Sequence, residues 1–177
     1  VYSRRAEGRE AFAKQFEGEL GLKIRACGSP EEAIDGMSVV CAATNADQPA
    51  FLGKWMNPGV LLVSIGATLP EHWELDAESI DRCDFIVADV PEEIMEDTGC
   101  FIAAKKAGVA FEHKFATLND LMLGKLDDRL RAARFPMYRS AGAALQDLAV
   151  AEIAYHEAKR RALCVPLPIE FAVKGGR

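Results

Sequence analysis

An α/β fold on a parallel sheet is what this sequence predicts, and three observations carry the prediction. Short apolar runs recur at Ser38–Ala43, Val60–Ile65 and Asp84–Asp89. Segments with helical start and stop signals separate them, which is the pattern of β-α-β crossovers. The runs are continuous rather than alternating, as expected of strands covered by helices on both faces.

The elements follow in order. Val1-Tyr2-Ser3 reads as the end of a strand emptying into a basic loop, so a β-α unit is already under way at the first residue. Arg4 to Glu19 is helical, with Ala11, Phe12 and Phe16 forming an apolar stripe. Leu22–Cys27 alternates apolar and polar residues, the mark of a strand with one exposed face. Ser29-Pro30-Glu31-Glu32 starts a short helix that ends at Gly36. A hydroxyl caps it, Pro occupies its first position, and Glu at the third completes a capping box.

After the Ser38–Ala43 strand, Leu52–Met56 reads as a half-turn or short helix and Ala77–Cys83 as a short helix. Beyond the Asp84–Asp89 strand come an acidic helical turn at Pro91–Asp97, a helix at Cys100–Ala107, and another at Leu118–Leu123. A charged, exposed stretch occupies Lys125–Arg134. A long helix runs from about Ala141 to Leu163, and Val165-Pro166-Leu167-Pro168 stops it. The whole reads as a Rossmann-like sheet without its first strand and most of its second, because a dinucleotide domain of that type has six strands and a phosphate-binding turn at its start. Residues 1–115 are expected to form a partial dinucleotide-binding domain, and residues 116–177 a helical C-terminal segment.

Half of the residues are hydrophobic and the net charge is −6. A nucleic-acid partner would demand a basic face, so that class is excluded. Lys159-Arg160-Arg161 reads as the favoured last turn of a helix instead. No apolar run approaches the roughly 20 residues that cross a bilayer. The five cysteines show no C-x-x-C pair and the three histidines are scattered, which predicts unpaired thiols, no metal, and a cytoplasmic protein.

Candidate binding residues cluster at strand ends, where ligands of open parallel sheets lie. An acid at the end of the second strand would read a ribose diol. Ser3-Arg4-Arg5 offers a hydroxyl and two cations instead, which favours a 2′-phosphate. Ala43-Thr44-Asn45 and Ile65-Gly66-Ala67-Thr68 follow two of the strands. Ser140 is placed to cap the long helix, with the N–H groups of Ala141 and Gly142 free for an anion. Glu92, Glu93, Glu96 and Asp97 suit a helix N-terminus better than a catalytic pair.

Together these blocks resemble the ornithine cyclodeaminase/mu-crystallin family over about residues 1 to 160. The blocks are Val1-Tyr2-Ser3-Arg4, Ser29-Pro30-Glu31-Glu32-Ala33, Ala42-Ala43-Thr44, Pro58-Gly59, Ile65-Gly66-Ala67, Glu74-Leu75-Asp76, and the most specific, Ser140-Ala141-Gly142-Ala143-Ala144-Leu145-Gln146-Asp147. The resemblance implies a Rossmann-type domain beside a substrate domain, to which the C-terminal helix returns, and a homodimer. It implies that the phosphate loop and the cations that hold the substrate carboxylate lie in an N-terminal segment absent from this chain. It implies that Ser3 and Arg4 read the ribose, that Thr44, Ile65, Gly66 and Ala67 surround the nicotinamide half of NADP or NAD, and that Ser140 and Gly142 lie near the nicotinamide and substrate.

Many members of that family carry Asp two residues beyond the glycine matched by Gly66, where this chain has Thr68. Thr cannot act as a carboxylate base. The expected activity is therefore reduction of an α-imino or α-keto acid to the amino acid, with NADPH. Ornithine cyclodeamination with retained NAD, and a non-catalytic NADPH-dependent binder of small ligands, are the alternatives.

Overall fold

The computed structural model describes residues 1–165. Helix α1 (Ala6–Leu20) is followed by an extended segment and by α2 (Pro30–Ile34). Strands β1 (Val39–Ala42) and β2 (Leu61–Ser64) come next, then α3 (Ala77–Arg82) and β3 (Phe85–Ala88). Helices α4 (Pro91–Asp97) and α5 (Gly99–Lys106) lead to β4 (Phe115–Thr117). After α6 (Leu118–Met122) and α7 (Asp127–Ala132), β5 (Pro136–Arg139) precedes the long α8 (Ala144–Arg160).

The sheet is parallel throughout, in the order β1-β2-β5-β3-β4. Its last strand in sequence thus inserts between β2 and β3. All five carboxyl ends lie along one edge, the edge where a parallel sheet receives ligands.

Alternation along the strands divides the core in two. Leu62, Ile86 and Met137 pack on one side with Ile80, Ile94 and Phe101 of α3, α4 and α5. Phe85, Val87 and Tyr138 pack on the other with Leu121 and Leu126. Every residue of β3 is therefore buried, as a strand covered by helices on both faces requires. Lys114 is buried beside this core, and its Nζ donates to the carbonyls of Ile80 at 3.2 Å and Asp81 at 2.7 Å. Those carbonyls end α3 and would otherwise lack partners.

Several sequence expectations are corrected. Leu22–Cys27 is extended but forms no strand of the sheet. It makes two backbone bonds with Val1, Val1 N–H to Arg25 O at 2.7 Å and Cys27 N–H to Val1 O at 2.9 Å, and a single partner residue cannot propagate a ladder. β1 is not buried on both faces: Val40 and Ala42 point into the core, while Val39 and Cys41 are exposed. The stretch Lys125–Arg134 is not merely solvated, for it holds α7, and Leu126 is buried. Ser29 caps α2 as expected, accepting from Glu32 N–H at 3.1 Å. The Glu32 carboxylate, however, takes the N–H of Gly28 at 2.7 Å, one residue before the cap, so the box is displaced by one position.

Two compact units are present, Val1–Gly142 and a second beginning at Ala143. β4 and β5 tie residues 115–139 to the sheet, whereas the sequence placed the division at 115/116. Within the second unit, α8 is shorter at both ends than expected and ends in the basic turn of Lys159 and Arg160. Glu157 pairs with Arg160 and Arg161, and no α8 residue is buried. The Pro166–Pro168 stop lies outside the described residues. No described helix is long and apolar enough to cross a membrane.

Candidate functional site at the strand ends

Two buried or half-buried carboxylates organise the carboxyl edge of the sheet. The first is Glu74, fully buried in the loop that follows β2. Its Oε2 accepts the N–H of Thr44 at 2.8 Å and the Thr44 hydroxyl at 2.9 Å. Its Oε1 accepts the Ser64 hydroxyl at 2.7 Å and the N–H of Gly66 at 2.9 Å. A carboxylate has acceptor capacity for four such donors, and here it joins the turn after β1 to the turn after β2. The Glu74 backbone N–H is turned the other way, onto Cys100 Sγ at 3.3 Å.

The charge of Glu74 is answered by Arg139, the last residue of β5 and equally buried, with its Nη1 3.9 Å from Glu74 Oε1. The Ser64 hydroxyl bridges them: it accepts from Arg139 Nη1 at 3.0 Å and donates to Glu74. Arg139 also donates to the carbonyls of Ser64 and Ala67, which fixes the start of the Thr68 loop. Burial lowers the Arg139 guanidinium from its ordinary value, while Cys100, Glu74 and Asp89 pull it back. Arginine remains protonated across the working pH range.

Asp89, just beyond β3, is the second organiser. Its carboxylate takes the Ser140 hydroxyl at 2.6 Å, the N–H of Ala141 at 3.2 Å, and the N–H of Gly142 at 3.0 Å. Gly142 has φ +79°, a left-handed conformation that lets consecutive N–H groups converge on one anion. Partial burial alone would raise the Asp89 carboxyl, but the bonds from Ser140, Ala141, Gly142 and Val90 outweigh it and hold it below the ordinary carboxylate range.

A group lowered in this way contributes stability above its unfolded value, near pH 4, and loses that contribution as pH falls through the folded value. The stability advantage of wild type over Asp89→Asn is accordingly expected to be largest above about pH 5 and to shrink below about pH 4. Urea midpoints of the two proteins across that range measure it, and a difference independent of pH would contradict the assignment.

The expected site residues therefore form one row. Thr44 and Gly66 meet on Glu74, Ala67 is held by Arg139, and Ser140 N–H donates to Ser64 O at 3.1 Å across the β2–β5 boundary. Ile65 is exposed beside Gly66, and Thr68 is exposed on the loop that follows. One placement is corrected. Ser140 does not cap α8, whose cap position is Ala143, and the N–H groups of Ala141 and Gly142 face the chain's own Asp89 rather than open space. Ser140 lies three residues before the cap position, and its hydroxyl is bound to Asp89 instead.

Ser3 and Arg4 lie apart from this row, and of its members only Thr44 shares a cleft with them. A cleft of about 770 Å3 is lined by both, by the exposed face of β1 and by Thr44. Arg5 is not among its lining residues; it precedes α1, and its carbonyl accepts the Ser3 hydroxyl at 3.3 Å.

Ser64, Asp89 and Arg139 are not among the residues the sequence points to, and Glu74 figures there only within the block Glu74-Leu75-Asp76. A single acid between Trp73 and Leu75 has no periodic signal that announces burial. Three of the thiols are held toward their protonated form. Burial pushes Cys83 up to about 12 and also raises Cys100, and it raises Cys41 with a further push from Glu74. Among the described residues no three His, Cys, Asp or Glu side chains gather as a metal site.

Comparison with known proteins matches this architecture. The sequence model of the ornithine cyclodeaminase/mu-crystallin family covers residues 1–162. Ketimine reductase mu-crystallin of Macropus fuliginosus is 27% identical over 155 residues, 88% of this chain and 45% of the relative. Alanine dehydrogenase of Archaeoglobus fulgidus is 28% identical over 151 residues, 85% of this chain and 47% of the relative. Thermococcus litoralis Δ1-pyrroline-2-carboxylate reductase, solved with NADH and L-proline, superposes with a TM-score of 0.82 at 25% identity, over 92% of this chain and 50% of that one. The chain thus spans about half the length of the proteins it matches.

Proposed function

This chain belongs to the ornithine cyclodeaminase/mu-crystallin family, and from that premise we propose that it forms the larger part of the dinucleotide domain of an NADPH-dependent reductase of α-imino or α-keto acids. The observation that carries the reading is the groove lined jointly by Ser3, Arg4 and Thr44, the last of which is bonded through Glu74 to the turn after β2. Its volume of about 770 Å3 lies within the usual range for ligand sites, and its lining includes the cation Arg4 and the small residues Ala42, Ala43 and Ala46.

In this reading Ser3 and Arg4, with Arg5 nearby, take the 2′-phosphate. Thr44 and Ile65-Gly66-Ala67 wall the nicotinamide half, and Ser140 and Gly142 border the substrate. When bound, the nicotinamide supplies hydride to the prochiral carbon. The chain's residues supply orientation and fixed charge, and Thr68 contributes a hydroxyl to the pocket wall. The phosphate loop, the proton donor and the cations for the substrate carboxylate belong to an N-terminal segment outside this chain. The helical segment from Ala143 returns to that substrate domain in a homodimer.

The relatives named ketimine reductase, pyrroline-carboxylate reductase and alanine dehydrogenase all bear names of imino- or keto-acid chemistry, which supports a reductase. Thr68 in place of an acid counts against cyclodeamination.

The intact protein is expected to bind NADPH more tightly than NADH, because Ser3-Arg4-Arg5 presents no acid to the ribose. Arg4→Ala should weaken NADPH by roughly 10- to 150-fold, the value of one charge-assisted contact, and leave NADH nearly unchanged. Dissociation constants for both cofactors and both proteins test this. Equal affinity of the wild type for NADH and NADPH would overturn the phosphate reading.

A further inference from the structure

We infer that Glu74 is a positioning residue for the nicotinamide half of the cofactor, an inference that rests on the dinucleotide reading above. Its carboxylate is fully buried, yet every donor it takes belongs to the ligand-facing ends of two neighbouring strands. Two come from Thr44 beyond β1, and two from Ser64 and Gly66 at the end of β2, all within 2.7 to 2.9 Å. Thr44 and Gly66 are the residues assigned to the nicotinamide half. Ser3 and Arg4, assigned to the adenine ribose, share no hydrogen bond with Glu74 among those described.

One side chain thus sets the separation of the two turns between which the nicotinamide ring would sit, and leaves the other end of the groove alone. The approach is close: a Cβ built on Gly66 would lie 2.5 Å from Glu74 Oε2 and 2.2 Å from Thr44 N. Two further backbone bonds continue the link. Trp73 N–H donates to Ala46 O and Ala50 N–H donates to Glu74 O, both at 2.9 Å. Only an acceptor on both oxygens satisfies this arrangement. An amide at position 74 would aim N–H groups at two of the four donors and remove the carboxylate 3.9 Å from Arg139.

The position of Glu74 makes its effect separable between the two halves of the cofactor. In the intact protein, NADPH is titrated beside 2′-phospho-ADP-ribose, and NADH beside ADP-ribose, so that each pair differs by the nicotinamide ring. Glu74→Gln is expected to weaken the ring-bearing ligand by about 10-fold or more and the truncated ligand by no more than about 2-fold. Ser64→Ala removes one of the four donors from a residue assigned no contact with the cofactor and leaves the carboxylate in place; about 3-fold is expected, with the same selectivity. It decides the matter if Glu74→Gln fails to fold.

Equal weakening of both ligands in a pair, the signature of a merely structural role, would overturn the inference. So would a Glu74→Gln protein that binds NADPH as the wild type does; that result leaves the dinucleotide reading standing. A wild type that binds none of the four ligands overturns the dinucleotide reading, and this inference with it.

Discussion

Arg139→Met is expected to destabilise the sheet-bearing unit by about 3–5 kcal/mol, the range for breaking a buried ion pair from one side. Glu74 would keep its donors from Thr44, Ser64 and Gly66 but lose the only cation described beside it, and neither residue has any exposed surface. The carbonyls of Ser64 and Ala67 would lose a donor at the same time. Arg139 Nε has no partner among the described residues, so the pair is incompletely satisfied and its net worth is smaller than the cost of halving it. The double variant Glu74→Gln/Arg139→Met should therefore cost less than the sum of the two single changes, by about 1–3 kcal/mol. Denaturant midpoints of the four proteins measure this, and strict additivity would contradict the coupling.

Gly66→Ala carries the second large effect. A Cβ there would stand 2.1 Å from Thr44 O and 2.2 Å from Thr44 N, both backbone atoms, and close to a carboxylate that four donors hold in place. None of these is the free end of a flexible side chain, so the strain has no inexpensive outlet. About 3 kcal/mol is expected, the upper end of overpacking costs, with loss of nicotinamide dinucleotide affinity in the fraction that remains folded. The backbone at Gly66 is not left-handed, so the demand is for space alone. A Gly66→Ala protein with the wild-type midpoint would show that the two turns do not approach as described.

The sequence disclosed the fold wherever an element carried its own signal. β3 is a continuous apolar run, and α3, α4 and α5 begin or end with readable caps. Where an element depends on its neighbours, the local signal fails. β5 is the central strand, yet only Met137 and Tyr138 are apolar in it, Pro136 opens it and a buried Arg139 closes it. Proline is tolerated at a first strand position, but a charged residue in the sheet interior is legible only once Glu74 is known to face it. The exposed face of β1 is the converse case: its residues are apolar enough for burial, and nothing in their spacing reveals that Val39 and Cys41 stay open.

The site divides along the same line. Thr44 and Gly66 could be found because small and hydroxyl residues directly after apolar runs mark ligand-facing turns, and Ser140 because a hydroxyl precedes the long helix. Glu74 and Asp89 could not, because each acts through groups brought from distant parts of the chain. Glu74 gathers Thr44 and Arg139, 30 and 65 residues away, and Asp89 gathers Ser140 from 51. Sequence spacing carries no trace of such contacts; the parallel sheet creates them by aligning the strand ends.

These strand ends are proposed to serve net reduction with NADPH rather than cyclodeamination, and turnover on one preparation of the intact protein separates the two. Nicotinamide absorbance is followed with small α-keto acids plus amine and with cyclic imino acids, and ammonia is followed with ornithine and catalytic NAD. Loss of NADPH absorbance with an imino or keto acid is expected, faster than any release of ammonia from ornithine. Rapid ammonia release with no net consumption of cofactor would contradict it.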